Sequence, residues 1–301
     1  MVSRALRFVL FVLLALAVLS TASAHDVAIV TSRAQGPERD VAEALLAADG
    51  PHRLFLAGSA EQGLAPDALG NSVLVVALGA DAAHAMLEHG RPLLAALITA
   101  NDFKRLRADA PQAALTGLLL DQPAERHLAL LRAALPGMGC AGLLLGPDSL
   151  SAQRRFETAA GRFGPALRPD FAATARDVLP VIERLLAGCG AVLTLPDPVV
   201  SNPTVARAVL LTSYRMQRPL FAYSRAWVEA GALAAVFSTP ATATRDLLDW
   251  LAEFEDPHRL PPPRPSRHFD LAVNARVARA LNLSVPDEDT LRAAIAAGRL
   301  P

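Results

Sequence analysis

The sequence predicts an α/β protein of two doubly wound parallel-sheet lobes joined by hinge strands. Three observations support this. Short apolar runs alternate with helix-length segments along almost the whole chain. The apolar residues are mostly Ala, Leu and Val, which suits parallel strands buried on both faces beneath Ala- and Leu-rich helices. The alternation also breaks near residue 119 and starts again, so two runs of four to five strands are expected rather than one closed barrel. The alternative, a TIM barrel, needs eight regular repeats, and Asn101 to Ala114 reads as irregular.

The chain opens with Arg4 and Arg7, an apolar run from Phe8 to Leu19, and Ala22-Ser23-Ala24. A basic n-region, a short h-region and a small-x-small triplet make a secretory leader. The run is short of the roughly 20 apolar residues that a spanning helix needs. Cleavage after Ala24 is expected, giving a soluble periplasmic chain that begins at His25. No Cys follows the run, so no lipid anchor is expected. An N-terminal His can chelate copper through its amine and ring if the fold supplies a second His. His52 or His84 could serve, but the sequence favours an accident of the cleavage site.

Asp26–Thr31 reads as the first strand. Pro37–Ala48 reads as a helix with Pro in the first turn and apolar residues at Val41, Ala44, Leu45 and Ala48. Further strands are predicted at His52–Ala57, Ser72–Leu78, Pro92–Ile98 and Thr116–Leu120, with a helix at Ala82–Glu88. After the restart, helices are predicted at Pro123–Leu135, Ser149–Phe163, Asp177–Ala187, Pro203–Met216 and Ala241–Glu253. The strands between them are Ala141–Leu145, Ala191–Leu195, Pro219–Tyr223 and Ala234–Phe237. Pro257–Pro265 reads as an extended surface linker. A strand at Phe269–Val273 and helices at Asn274–Leu281 and Asp287–Ala297 close the chain. The expected division is a leader over 1–24, a first lobe over 25–118 and 239–265, and a second lobe over 119–238 and 266–301.

The composition excludes several classes. With 52% hydrophobic and 19% charged residues the chain is globular. Basic and acidic residues number 29 each, which argues against a nucleic-acid partner. There is no G-x-S-x-G, H-E-x-x-H or C-x-x-C. Gly137-Met138-Gly139-Cys140-Ala141-Gly142 matches G-x-G-x-x-G but precedes a strand, whereas a dinucleotide fingerprint follows one. His84 and His89 are too irregularly spaced for a metal pair and read as surface residues. No catalytic set, cofactor or metal is expected.

In open α/β sheets ligands bind beyond the carboxyl ends of the strands, where helix N-termini offer free N–H groups. In the first lobe those positions hold Ser32, Asp81, Thr99 and Asn101. In the second they hold Asp148, Ser149, Asp197, Tyr223 and Ser224, with Ser238 at a crossing. Small polar side chains there can bond a ligand carboxylate, Asp148 or Asp197 an ammonium, and Tyr223 can stack. Each has a plainer reading: Ser32, Asp81 and Ser149 as helix caps, Asp197 as a turn former before Pro198, Tyr223 as half-core.

Part of the sequence resembles a known family. Leu195-Pro196-Asp197 ahead of a helix at Pro203, Arg218-Pro219-Leu220-Phe221, and Glu229-Ala230-Gly231-Ala232-Leu233-Ala234 followed by Val236 carry the likeness. So does Leu271-Ala272-Val273-Asn274 with Ala278, Ala280-Leu281-Asn282-Leu283 and Pro286. These resemble the ABC transporter substrate-binding proteins of the tryptophan/tyrosine type, over roughly the last third of the chain. The resemblance implies the type I periplasmic-binding-protein fold and a monomer that captures an amino-acid-like or aromatic small molecule for an ABC permease. The segment from Gly58 to Gly70 and the turn Ser238-Thr239-Pro240 depart from the family's pattern. They keep open a second reading, a periplasmic sensor or adaptor without a transporter. A periplasmic enzyme is a third class, disfavoured by the missing catalytic set.

Cys140 and Cys189 are the only cysteines. Each lies seven residues before a Pro that ends a strand, Pro147 and Pro196. With strand order 2-1-3-4 the two strands are parallel neighbours, which brings the Cα atoms to about 5 Å. An oxidising compartment then favours a disulfide; two buried thiols are the alternative.

Overall fold

The computed structural model describes residues 25–297. The leader and its cleavage point therefore lie outside the described residues, as do the last four. The first lobe opens with β1 (Asp26–Thr31), α1 (Pro37–Ala47), β2 (Arg53–Ser59), β3 (Leu74–Leu78) and α2 (Ala80–Met86). It continues with β4 (Leu93–Ile98), α3 (Ala100–Asp109) and β5 (Leu115–Leu119). The second lobe begins with α4 (Ala124–Ala134), β6 (Cys140–Leu145), α5 (Gln153–Phe163), β7 (Ala166–Phe171) and α6 (Val178–Gly188). Then come β8 (Ala191–Thr194), α7 (Pro198–Ser201), α8 (Pro203–Arg215), β9 (Leu220–Ala222), α9 (Arg225–Ala230) and β10 (Ala234–Phe237). The chain returns to the first lobe for α10 (Pro240–Ala252) and the short β11 (Arg264–Pro265). It ends in the second with β12 (Asp270–Val273), α11 (Ala275–Ala280) and α12 (Glu288–Ala296).

Each lobe is built on a six-stranded sheet. The first has the order β11-β5-β4-β3-β1-β2 and is parallel throughout; the second has the order β12-β10-β9-β8-β6-β7, with only β12 antiparallel. Central strands such as β3 are buried at every position because helices cover both faces. Alternate residues of one strand therefore enter different cores. Val27 and Ile29 pack with α1 and with Leu247 and Trp250 of α10, whereas Ala28 and Val30 pack with residues of α2 and α3. The second sheet divides the same way, with Leu143 and Leu145 toward α4 and α12 and Leu144 toward α6. Two open sheets rule out the barrel.

Some elements depart from the sequence reading. Asn101 to Ala114 is mostly helix, α3, opened by a reciprocal cap in which Thr99 Oγ1 accepts from Asp102 N (3.1 Å) and Asp102 Oδ2 from Thr99 N (3.0 Å). Only Phe103 and Leu106 of this helix are buried, so its apolar stripe is too narrow to show periodicity. β7 was not predicted: it is an edge strand containing Pro169, a residue that weakens strand patterning. The single-turn α7 and the six-residue α9 were also missed.

The chain passes between the sheets three times, after β5, β10 and β11. The passages are tied to one another. Gln122 Nε2 donates to Ser238 Oγ (2.8 Å), Ser238 Oγ donates to Ser266 Oγ (3.0 Å), and Ser266 N donates to Leu119 O (3.1 Å). Arg126 donates to the carbonyls of Ser266 (3.1 Å) and Arg267 (3.0 Å) and lies 4.5 Å from the Phe269 ring centre.

β6 and β8 are parallel neighbours, with Ala141 paired to Ala191. This register is offset by one residue from the equal spacing of the two cysteines, so Cys140 O accepts from Gly190 N (3.0 Å). Cys189 still lies with its Cα 4.8 Å from that of Cys140, and the two are joined by a disulfide. A bond across this 49-residue separation constrains the unfolded chain by about 4 kcal/mol in the loop-entropy account. Alkylation of protein purified without reductant, followed by mass spectrometry, is expected to find no free thiol. Reduction is expected to lower the melting temperature by several degrees.

Candidate functional site

A cavity of about 800 Å³ lies between the lobes, beyond the carboxyl ends of strands from both sheets. From the first lobe it is lined by Thr99, Asn101, Asp102 and Arg105 beyond β4 and by Leu119 to Gln122 beyond β5. From the second it is lined by Asp148 and Ser149 beyond β6, by the first turns of α5, by Leu195 to Pro198 beyond β8 and by Tyr223 beyond β9. Six of the residues chosen from the sequence thus meet: Thr99, Asn101, Asp148, Ser149, Asp197 and Tyr223.

Asp197 is 3% exposed and crowded by protein donors. Its Oδ2 accepts from Asp148 N (2.9 Å), Ser149 N (2.9 Å) and Ser149 Oγ (3.0 Å), and its Oδ1 from Val199 N (3.0 Å) at the start of α7. Gly146 lies beneath it, where an added Cβ would come within 2.3 Å of Oδ1. The carboxylate therefore joins the β6 and β8 turns, and the expectation that it is free to hold an ammonium meets a group already supplied with donors. Ser149 is spent in the same knot, its Oγ also accepting from Gly146 N (2.8 Å).

Asp148 reaches across the cleft. Its Oδ2 accepts from Asn101 Nδ2 (2.7 Å) and Arg105 Nη2 (2.7 Å), both carried by α3 of the first lobe. Thr99 caps α3. Tyr223 bonds Ser201 Oγ through its hydroxyl and leans on Trp227 with ring centres 6.1 Å apart, so one half of it is packed and the other faces the cavity.

The other four residues chosen from the sequence do not line this cavity. Ser32 is buried, its Oγ accepting from Ala82 N (3.0 Å) in the first turn of α2. Asp81 is exposed on that turn. Ser224 Oγ caps α9, accepting from Trp227 N (3.4 Å). Ser238 belongs to the tied crossings. Ser32 thus serves the first turn of α2 rather than α1, the helix that follows it in sequence, and Ser224 has a capping role that the sequence reading did not give it.

Sequence reasoning missed Asp121, Arg105, Arg154, Arg155, Phe156 and His127, all of which line the cavity. Asp121 follows a strand and obeyed the rule used for the others, but it was not chosen. The arginines lie within helices, beyond the first residues after a strand, where that rule does not look. Asp121 Oδ2 accepts from Ala100 N (2.6 Å). Burial pushes its carboxyl above the ordinary range, opposed by the Ala100 bond and by the charge of Arg155, while Asp102 adds to the rise. His127 is buried beside Phe156, with ring centres 5.7 Å apart. Burial first, and then the Arg126 charge, push it down to about 3, so it is neutral.

No family model matches the chain, and no curated protein matches it. Solved structures do. The ligand-free, open form of a substrate-binding protein with adhesive properties from Clostridium difficile is 16% identical, with a TM-score of 0.64 over 89% of this chain and 98% of that one. An ABC domain in complex with L-Trp from Streptococcus pneumonia is 17% identical, with a TM-score of 0.56 over 90% and 98%. A conserved domain protein from Vibrio cholerae is 19% identical, with a TM-score of 0.57 over 90% and 98%. The chain has the fold of the periplasmic and ABC substrate-binding proteins, as the resemblance in its last third implies. Among the described residues no helix is long and apolar enough to cross a membrane.

Two outcomes follow from this geometry. Asp197→Ala would leave three backbone N–H groups and a hydroxyl without their acceptor, at about 1–3 kcal/mol for each buried donor left unmet. Thermal melts are expected to show clear destabilisation, with Asp197→Asn in between. His127 binds a proton at about 3 when folded and at 6.5 when unfolded. The unfolded state therefore takes up more protons across that window, and stability falls as pH drops through it. His127→Phe is expected to flatten this acid limb in melts recorded from pH 7 to 4.

Proposed function

We propose that this chain is a periplasmic solute-binding protein that captures a small amino-acid-like molecule between its lobes and delivers it to an ABC permease. The observation that carries this reading is the cavity of about 800 Å³ at the carboxyl ends of both sheets, which puts Asp121 and Arg155 in one space. Asp121 offers a half-buried carboxyl to an ammonium. Arg154 and Arg155, on the first turn of α5, offer guanidiniums to a carboxylate. Tyr223 supplies apolar surface in the same cavity. The complex of the Streptococcus pneumonia domain with L-Trp supports an amino acid as the class.

We read the chain as a non-enzyme. Ser149 Oγ is taken up by Asp197 and Gly146 in the turns that it ties together, and Ser201 by the Tyr223 hydroxyl. Export through cleavage after Ala24 belongs to the same reading.

A thermal-shift screen of the protein beginning at His25, against the amino acids and their decarboxylated and deaminated analogues, tests the proposal. A ligand at 100 times its dissociation constant adds about 2.7 kcal/mol, well within reach of a melt. Zwitterions are expected to stabilise and analogues lacking either charge to fail. Asp121→Asn and Tyr223→Ala are expected to weaken binding tenfold or more in protein that circular dichroism shows to be folded. An ammonium binds the ionised Asp121, so affinity should decline as pH falls through the raised carboxyl pKa, and Asp121→Asn should remove that decline. Unchanged affinity in both variants would sink the assignment.

A further inference from the structure

We propose that the N-terminus left by leader removal is a copper(II) site, formed by the α-amino group of His25, the His25 imidazole and the His52 imidazole. The sequence alone could not say whether His52, His84 or neither approaches His25. The fold selects His52. β1 and β2 pair in parallel with Asp26 opposite Arg53, and Arg53 N donates to His25 O (2.9 Å). The residues one step upstream on each strand are the two histidines. Their rings are stacked with centres 5.6 Å apart. His84 lies 3.8 Å from the Asp109 carboxylate instead.

The hydrogen bonds around the pair match what a metal needs. His52 Nε2 lies 2.8 Å from the carbonyl of Leu251, and His25 Nε2 lies 3.4 Å from that of Glu255. A carbonyl can only accept, so each Nε2 is the donor and Nδ1 is the nitrogen left to offer a metal its lone pair. His52 Nδ1 is buried and has no hydrogen-bond partner, a state with a cost unless something electrophilic takes the lone pair. Backbone carbonyls on the far ring nitrogen are the usual outer support of a metal-bound His. Phe254 holds both rings edge-on, at 5.8 Å from His25 and 5.5 Å from His52, and Trp250 stacks behind it at 5.3 Å.

Among the described residues no group of three or more His, Cys, Asp and Glu could hold a metal. The third donor here is of another kind, the primary amine that cleavage after Ala24 creates. In the intact precursor that nitrogen is an amide and cannot serve. The amine and Nδ1 of one His form a chelate ring, and His52 Nδ1 completes three nitrogens. Metal–imidazole bonds of about 2 Å keep two nitrogens on one ion within about 4 Å of each other, a span that rings at this separation can meet. Neutral nitrogen donors with open positions favour copper(II) over the other divalent ions. His25 and His52 do not line the cleft cavity, so the site is separate from ligand capture. It rests on the export reading above through the cleavage point alone.

The test uses protein exported to the periplasm. Intact mass assigns its first residue before any metal is added. Copper(II) titration follows, read by electron paramagnetic resonance and by competition with a chromophoric chelator. One copper per chain with nitrogen hyperfine structure is expected. Affinity should fall about 100-fold or more, beyond the loss typical of an outer partner, both in His52→Gln and in a form with Gly-Ser-Gly-Ser ahead of His25. The extended form keeps both rings and guards against a folding defect in the substituted one. His84→Gln should bind as the parent does. An exported chain beginning elsewhere overturns the export reading and the site with it. A chain beginning at His25 that binds copper no more tightly than its extended or substituted forms overturns the copper site alone.

Discussion

Three segments of chain pass between the lobes, and their polar groups must find partners where little water reaches. Gln122, Asp246 and Ser266 are each less than a tenth exposed. Buried polar groups that go unpaired are costly, so the passages bond to one another: Gln122 to Ser238, Ser238 to Ser266, Ser266 to the Leu119 carbonyl, and Arg126 to the carbonyls of Ser266 and Arg267. Asp246 on α10 accepts from the backbone of Arg267 (2.9 Å) and His268 (3.2 Å), which anchors the third passage to the first lobe. Each lobe could close its own core alone. The cavity exists because this clasp holds the strand ends of two separate sheets toward each other.

The clasp and the cavity adjoin in sequence. Asp121 precedes Gln122, so one short segment joins the carboxyl that we assign to ligand with the amide that fixes a crossing. The second lobe has a comparable anchor in Asp197, whose four donors come from the turns after β6 and β8. A carboxylate so supplied sets the shape of its wall, while Asp148, held beside it, is left to reach Asn101 and Arg105 on the opposite lobe. The carboxyls of one cleft thus divide by the donors around them: Asp197 shapes, Asp148 spans, and Asp121 keeps capacity for a guest.

The disulfide and the paired histidines show how register turns separate residues into neighbours. Cys140 and Cys189 meet because β6 and β8 run side by side, one residue out of the alignment that their equal spacing to Pro147 and Pro196 suggested. His25 and His52 meet because β1 and β2 do the same at the far edge of the other sheet. In a parallel pair the residues just ahead of two strands are brought together whatever the length of chain between them.

The sequence by itself determined the fold class, most of the strands and helices, and the end of each sheet beside which the cavity lies. Those properties follow from apolar runs such as Leu74–Leu78, which only a doubly covered strand explains, and from the rule that strand ends and helix N-termini share one face. It did not reveal α3, whose buried face is two residues wide, or β7, an edge strand that contains Pro169. Six of the ten ligand-contact residues chosen from it line the cavity, because the rule marks every strand end and cannot tell which ones the opposite lobe faces. The tertiary structure decided that Ser32 and Ser224 cap helices, that Asp197 is held by protein donors, and that Asp121, Arg154 and Arg155 share the cleft. It also decided that His52 rather than His84 stands beside His25. Each of these depends on which groups from distant segments come within about 3 Å of one another, and a hydrogen bond's partner is set by that distance and not by the residue that seeks it.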